Sequence, residues 1–278
     1  MSYKTILLHV DDAPSFKERM NVAAQLAQRH TAHLIGLAPT SVAILPIGDY
    51  MGGSTQLMAQ IQSQLDETAQ RAIESFEQTC RRMGLDSWEA RLMKDSPVDS
   101  MLTSARYSDL IIVGQPGDGG GTDAAGAGFL EQVLLGAGRP VLMLPSRGSV
   151  QKVGERAIIA WDASREAARA VTDALPLLIA AHEVEVAVVN PNKARGQHGQ
   201  EPGADVALFL ARHGVKATVK QLVTNIDVAN TLLSHIADTS TDLLVMGGYG
   251  HSRVREWVLG GVTRTILGSM TVPVLMAH

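Results

Sequence analysis

The chain repeats itself, and the repeat constrains its fold more than any other feature. The segments Asp109–Gly117 (DLIIVGQPG) and Asp242–Gly250 (DLLVMGGYG) share four identical positions, and three more exchange one aliphatic or Met side chain for another. The offset of 133 residues then holds without a gap as far as Pro140 and Pro273, each followed by Val-Leu-Met. The fronts match as well. Ile6–Asp11 and Ala157–Asp162 are both apolar runs that end in an acid. Between the copies, Pro145 to Glu155 carries Ser146, Gly148, Ser149 and Gly154 and reads as a linker. Two copies of one domain are therefore expected, at 1–145 and 156–278, each of ordinary domain size.

Inside each copy, short apolar runs alternate with helical spacing. The first copy predicts strands at 5–10, 33–38, 88–93, 109–113 and 140–144. Its helices fall at 15–29, 56–83 and 97–106, with a last one ending near Gly136. The second copy predicts strands at 156–161, 184–189, 216–223, 242–246 and 273–277, and helices at 164–180, 204–213, 226–237 and 262–268. Continuously apolar strands joined by helices point to a parallel sheet covered on both faces. The fold class expected is α/β, with two tandem doubly wound five-stranded parallel-sheet domains.

Composition narrows the classes of function. Apolar residues make up 45% and charged residues 19%, which suits a large buried core. A net charge of −4 supplies no basic face for nucleic acid. The uncharged stretch from Thr31 to Gly48 contains Gly36, Pro39, Thr40, Ser41 and Pro46, a poor membrane helix. A single cysteine, Cys80, cannot form an internal disulfide. A cytoplasmic protein with no membrane or nucleic-acid partner is the expectation. No phosphate loop of the G-x4-G-K-[ST] type, no G-x-S-x-G elbow, no Cys-x-x-Cys and no metal-ligand cluster is present, which weighs against a dedicated enzyme.

Open parallel sheets bind ligands beyond the strand C-termini, where the winding reverses. In the second copy, two strands end there, at Trp161-Asp162 and Met246-Gly247. Gly247 and Gly250 allow a sharp turn and close backbone approach. After Gly260-Gly261, the run Val262 to Leu267 can continue as a helix, so the amides of Gly261, Val262 and Thr263 become unpaired donors suited to phosphate. Thr263 adds a hydroxyl. His251, Arg253 and Arg255 supply positive charge or form a solvated face, two readings that stay open. Asp162 can accept from an adenine amino group or a ribose hydroxyl, cap the helix that follows, or do both.

The spacing Gly247-x2-Gly250-x9-Gly260 is similar to the G-x2-G-x9-G-[S/T] signature of the ATP-binding universal stress proteins. The resemblance extends to Asp162-Ala163-Ser164, to the Thr-Asp-Leu-Leu-Val-Met-Gly run and to the closing Pro273–Met276, and covers the chain as two tandem copies. It implies a Rossmann-like fold of the adenine nucleotide alpha hydrolase type and a stress-response role. It also implies binding of ATP or a related adenine nucleotide, with or without Mg²⁺. Asp162 would lie near base or sugar, and Val189 would pack against adenine. Gly247 and Gly250 would line the ribose and phosphate, and Gly260, Gly261, Val262 and Thr263 would receive phosphates. One departure is Gly261, where the family has Ser or Thr. It keeps an amide but loses a hydroxyl, about 0.5–1.5 kcal/mol of hydrogen bonding.

The first copy departs further. Ala127 replaces the third glycine, Pro116 stiffens the turn, and Asp118 and Asp123 place carboxylates where phosphate would lie. Asp11 keeps the acid. Weak binding or a structural role is expected there. The closing strands of the two copies are expected to pair within the chain as a pseudo-dimer, as relatives pair between chains, and homodimers of the chain are expected beyond that. Three functions compete: nucleotide-linked association, a slow ATPase or nucleotidyl-transfer enzyme, and a ligand-free interaction module.

Overall fold

The structure is a computed structural model that describes residues 2–40, 54–116, 128–191, 201–250 and 261–278. Strands and helices alternate along the chain, as the repeat requires. The order is β1 (Thr5–His9), α1 (Phe16–His30), β2 (His33–Pro39), α2 (Ser54–Arg82), β3 (Trp88–Met93), α3 (Pro97–Ala105), β4 (Leu110–Gly114), α4 (Phe129–Gly136) and β5 (Val141–Leu144). It continues with β6 (Arg156–Ala160), α5 (Arg165–Leu178), β7 (Glu183–Val189), α6 (Ala204–Arg212), β8 (Ala217–Leu222), α7 (Val228–Asp238), β9 (Leu243–Gly247), α8 (Gly261–Ser269) and β10 (Val274–Ala277).

The chain folds into two compact units, one of Tyr3–Arg139 and one built on Pro140–His278. In the first, the strand order is β3-β2-β1-β4 and every pair is parallel. In the second, the order is β5-β10-β9-β6-β7-β8. All its pairs are parallel except β5, which runs antiparallel to β10 with Met143 opposite Val274 and Val141 opposite Met276. This ladder places β5 in the second unit, so the compact units divide at Arg139/Pro140, ahead of the linker expected from sequence.

The central strands form because their side chains are apolar at every position and helices cover both faces. All five residues of β4 are buried, as are Leu243–Met246 of β9. Their starts are pinned by a shared device. The Asp109 carboxylate accepts from the amides of Lys4 and Thr5 at 2.7 and 3.0 Å, fixing β1 beside β4. The matching Asp242 accepts from the amides of Gly154, Glu155 and Arg156 at 2.8–3.2 Å, fixing β6 beside β9. The conserved spacing of the repeat is thus partly a matter of register. Ile6 lies opposite Leu110 in the first unit, and Ala157 opposite Leu243 in the second. The winding reverses between β1 and β4 and between β6 and β9, which brings Asp11 towards Gly114 and Asp162 towards Gly247.

Candidate functional site

The second unit builds a cleft at its reversal point. β6 ends at Ala160, one residue earlier than the sequence pattern suggests, and Trp161 still donates its amide to Ala187 at 2.9 Å. The chain then turns. The Asp162 carboxylate accepts from the Ser164 amide at 3.0 Å, and Ala163 takes a left-handed conformation with φ 62°. Ser164 caps α5, its hydroxyl accepting from the Ala167 amide at 3.1 Å. Asp162 itself is exposed. Its role here is the turn before the cap, not the cap.

Gly247 and Gly250 are needed for different reasons. A Cβ on Gly247 would lie 2.6 Å from the Ala167 nitrogen, so α5 seats its backbone directly on the end of β9. A Cβ on Gly250 would lie 3.1 Å from a carboxylate oxygen of Glu166. Glu166 is buried beneath this turn. Burial works against its charge, but the hydrogen bond from Arg165 Nε at 2.5 Å and the Arg165 charge prevail, holding its pKa below the ordinary value. Between the glycines, Tyr249 has φ 56° and donates its amide to the Thr263 hydroxyl at 3.3 Å. Gly248 is tied to β10: its amide donates to Ala277 at 2.9 Å, and its carbonyl lies 3.0 Å from His278 Nδ1. Gly261 opens α8, and no atom of the described residues lies within 4 Å of where its Cβ would stand.

The resulting cleft has a volume of about 380 Å³. Of the residues singled out from sequence, it gathers Asp162, Val189, Gly247, Gly250, Gly261, Val262 and Thr263 from four separate stretches of chain. His251, Arg253 and Gly260 lie outside the described residues, as does Arg255. The sequence reading missed Trp161 and Tyr249, and it missed the apolar wall made by Val228 and Leu232 of α7 with Met246. Val228 and Leu232 stand four apart on one helix face, a signal of burial that does not say against what. One end of the cleft is apolar. The other offers the turn at Gly250 and the first amides of α8, which suit an anion.

Cys80 is buried in α2, and burial pushes its thiol pKa up to about 12, so it packs and is not a nucleophile at neutral pH. No cluster of metal-ligating side chains occurs among the described residues, and no described helix is long and apolar enough to cross a membrane.

Residues 155–278 match the sequence model of the universal stress protein family. A curated relative, universal stress protein Slr1230 of Synechocystis sp., is 26% identical over 220 residues, covering 75% of this chain and 71% of the relative. The crystal structure of a universal stress protein from Archaeoglobus fulgidus DSM 4304 is similar in fold, with a TM-score of 0.74 at 16% identity, over 98% of this chain and 95% of that one. A functionally unknown protein from Pseudomonas aeruginosa PAO1 gives a TM-score of 0.58 at 15% identity, over 98% and 92%.

Proposed function

We propose that the chain, whose residues 155–278 match the universal stress protein family, binds ATP or a related adenine nucleotide in the cleft of its second copy and acts through nucleotide-linked association in the cytoplasm. One observation carries the reading. Seven residues chosen from sequence for binding a nucleotide line a single cleft. The apolar wall of Val189, Val228, Leu232 and Met246 takes the base by burial, and the exposed Asp162 accepts from base or ribose. Gly250 and Gly261 carry no side chain of their own between phosphate and the α8 amides. A nucleotide there would be bound by main-chain donors, with Mg²⁺ accompanying the phosphates as solution conditions dictate.

The link to association runs through β10. The glycine turn is hydrogen-bonded to β10 at Gly248, and β10 pairs antiparallel with β5, the strand that closes the first repeat. This supports the pseudo-dimer reading of the closing strands. With β9 on one side and β5 on the other, β10 has no free edge. Homodimers of the chain would therefore use another surface.

Equilibrium binding of ATP to Gly261→Asp tests the proposal most cleanly. The new side chain meets no neighbour among the described residues, so a negative charge enters the anion end without displacing them. Loss of affinity by tenfold or more is expected, and Gly250→Asp, beside the Glu166 carboxylate, should bind more weakly still. Unchanged affinity in both variants would refute the pocket.

A further inference from the structure

The first copy has the same strand register as the second, but its strand ends are built differently. Aligning β1 with β6 and β4 with β9 through their shared register places His9 where Ala160 stands, Asp11 where Asp162 stands and Gly114 where Gly247 stands. By the repeat offset, Phe129 takes the place of Val262. Ala160, Asp162, Gly247 and Val262 all line the second copy's cleft.

In the first copy two of these positions hold aromatic rings packed on each other. The rings of His9 and Phe129 lie 5.0 Å apart, and both residues are buried. Arg19, on α1, is 1% exposed. Its Nη2 donates to Asp11 at 2.5 Å and its Nε to the His9 carbonyl at 3.2 Å. Its Nη1 lies over Gly114, so that a Cβ there would collide with it. One guanidinium thus bridges the acid and the glycine that in the second copy form part of an open cleft. Counting from the turn that each acid makes, the second copy has Ala170 where the first has Arg19.

We propose that Arg19, His9 and Phe129 occupy the first copy's ligand position permanently, so that the chain takes up one nucleotide and its first copy is held closed whether or not nucleotide is present. This rests on the nucleotide reading of the second copy. A buried cation seated on the strand-end acid supplies from within the chain the partner that a bound ligand would give it. Asp11 Oδ1 takes its bond from Arg19, and its Oδ2 faces His9 Nδ1 at 3.4 Å, while Arg19 Nη1 has no hydrogen-bond partner among the described residues.

Equilibrium dialysis of the full chain against labelled ATP and labelled adenosine tests this. The wild-type chain should take up one equivalent of each. Restoring the second copy's residues with His9→Ala, Arg19→Ala and Phe129→Val together should raise adenosine uptake from one equivalent to two. Where circular dichroism shows that variant unfolded, Arg19→Ala with Phe129→Val provides the same reading. Two equivalents of ATP in the wild-type chain, or a folded variant that still takes up one adenosine, would overturn the inference. No uptake of either ligand by the wild-type chain would instead defeat the nucleotide reading, and this inference with it.

Discussion

Asp11 and Asp162 occupy the same place in the two copies and meet opposite fates. Each makes the same local turn, accepting from the amide two residues on at 3.1 Å and 3.0 Å. Each follows a strand with the same register against its neighbour. Yet the Asp11 side chain, 7% exposed, is paired with Arg19, and Asp162 is exposed at the mouth of a cleft. The difference teaches that register and turn belong to the scaffold, whereas ligand capacity is decided by a few side chains at the strand ends. Backbone hydrogen bonds and the Asp109 and Asp242 anchors are satisfied in both copies regardless.

The sharpest way to break the comparison is to neutralise each acid in turn. Asp11→Ala leaves the Arg19 guanidinium buried without its carboxylate, a loss expected to cost about 3–5 kcal/mol. Asp162→Ala removes one exposed turn contact and should shift stability by about 0.5 kcal/mol while weakening ATP binding. Urea unfolding of both variants measures the contrast, and equal stability losses would erase it. The same asymmetry predicts an acid response. Burial opposes ionisation of Asp11, but His9, Arg19 and the Ala13 amide prevail and hold its pKa well below the ordinary carboxylate range. Its folded value lies below its unfolded value, so its contribution is complete above the unfolded value of about 3.9 and is lost as pH falls below it. Asp11→Asn should therefore flatten the dependence of stability on pH below about pH 4.

The glycines sharpen the comparison at the next level. Gly247→Ala forces a methyl group into the backbone of α5, where the nearest atom, Ala167 N, cannot swing aside, and should cost about 1–3 kcal/mol. Gly114→Ala meets the Arg19 guanidinium instead, Nη1 first, and must displace it from Asp11, so it should cost stability much as Asp11→Ala does. Both variants should lower the melting temperature, and only Gly114→Ala should also lose the acid response. An unchanged acid response in Gly114→Ala would show that the guanidinium keeps its place on Asp11.

Most of this architecture was legible in the sequence because its strands are uninterrupted apolar runs and its helices carry apolar stripes. The glycine turn was legible because only glycine tolerates what surrounds Gly247. Less was legible where one element's face meets another's. Val228 and Leu232 announce a buried face of α7, but nothing local says that the face borders a cleft. Arg19 left a trace that went unread. It stands three residues after Phe16 and one before Met20, on the stripe that α1 buries, where a charge needs a partner. Its guanidinium also lies 5.4 Å from the Phe16 ring centre. The strand-end acids fell just beyond the strands predicted to lead to them, because the turn each acid makes ends the ladder.

The smallest contrast lies in how the two helices after the acids begin. Ser164 caps α5 with its side chain, whereas Ser15, at the start of α1, makes no capping bond and has a helical backbone. Ser164→Ala should cost about 1 kcal/mol, and Ser15→Ala a few tenths at most. The cap also fixes the helix end that carries Ala167 and Glu166 beneath Gly247 and Gly250. Ser164→Ala is therefore expected to weaken ATP binding by a few-fold as well, through a loosened turn and not through a lost contact. Comparing denaturant midpoints with ATP affinity for the two serine variants separates these effects. If Ser164→Ala lowers stability and leaves affinity untouched, the helix start and the glycine turn above it are mechanically independent.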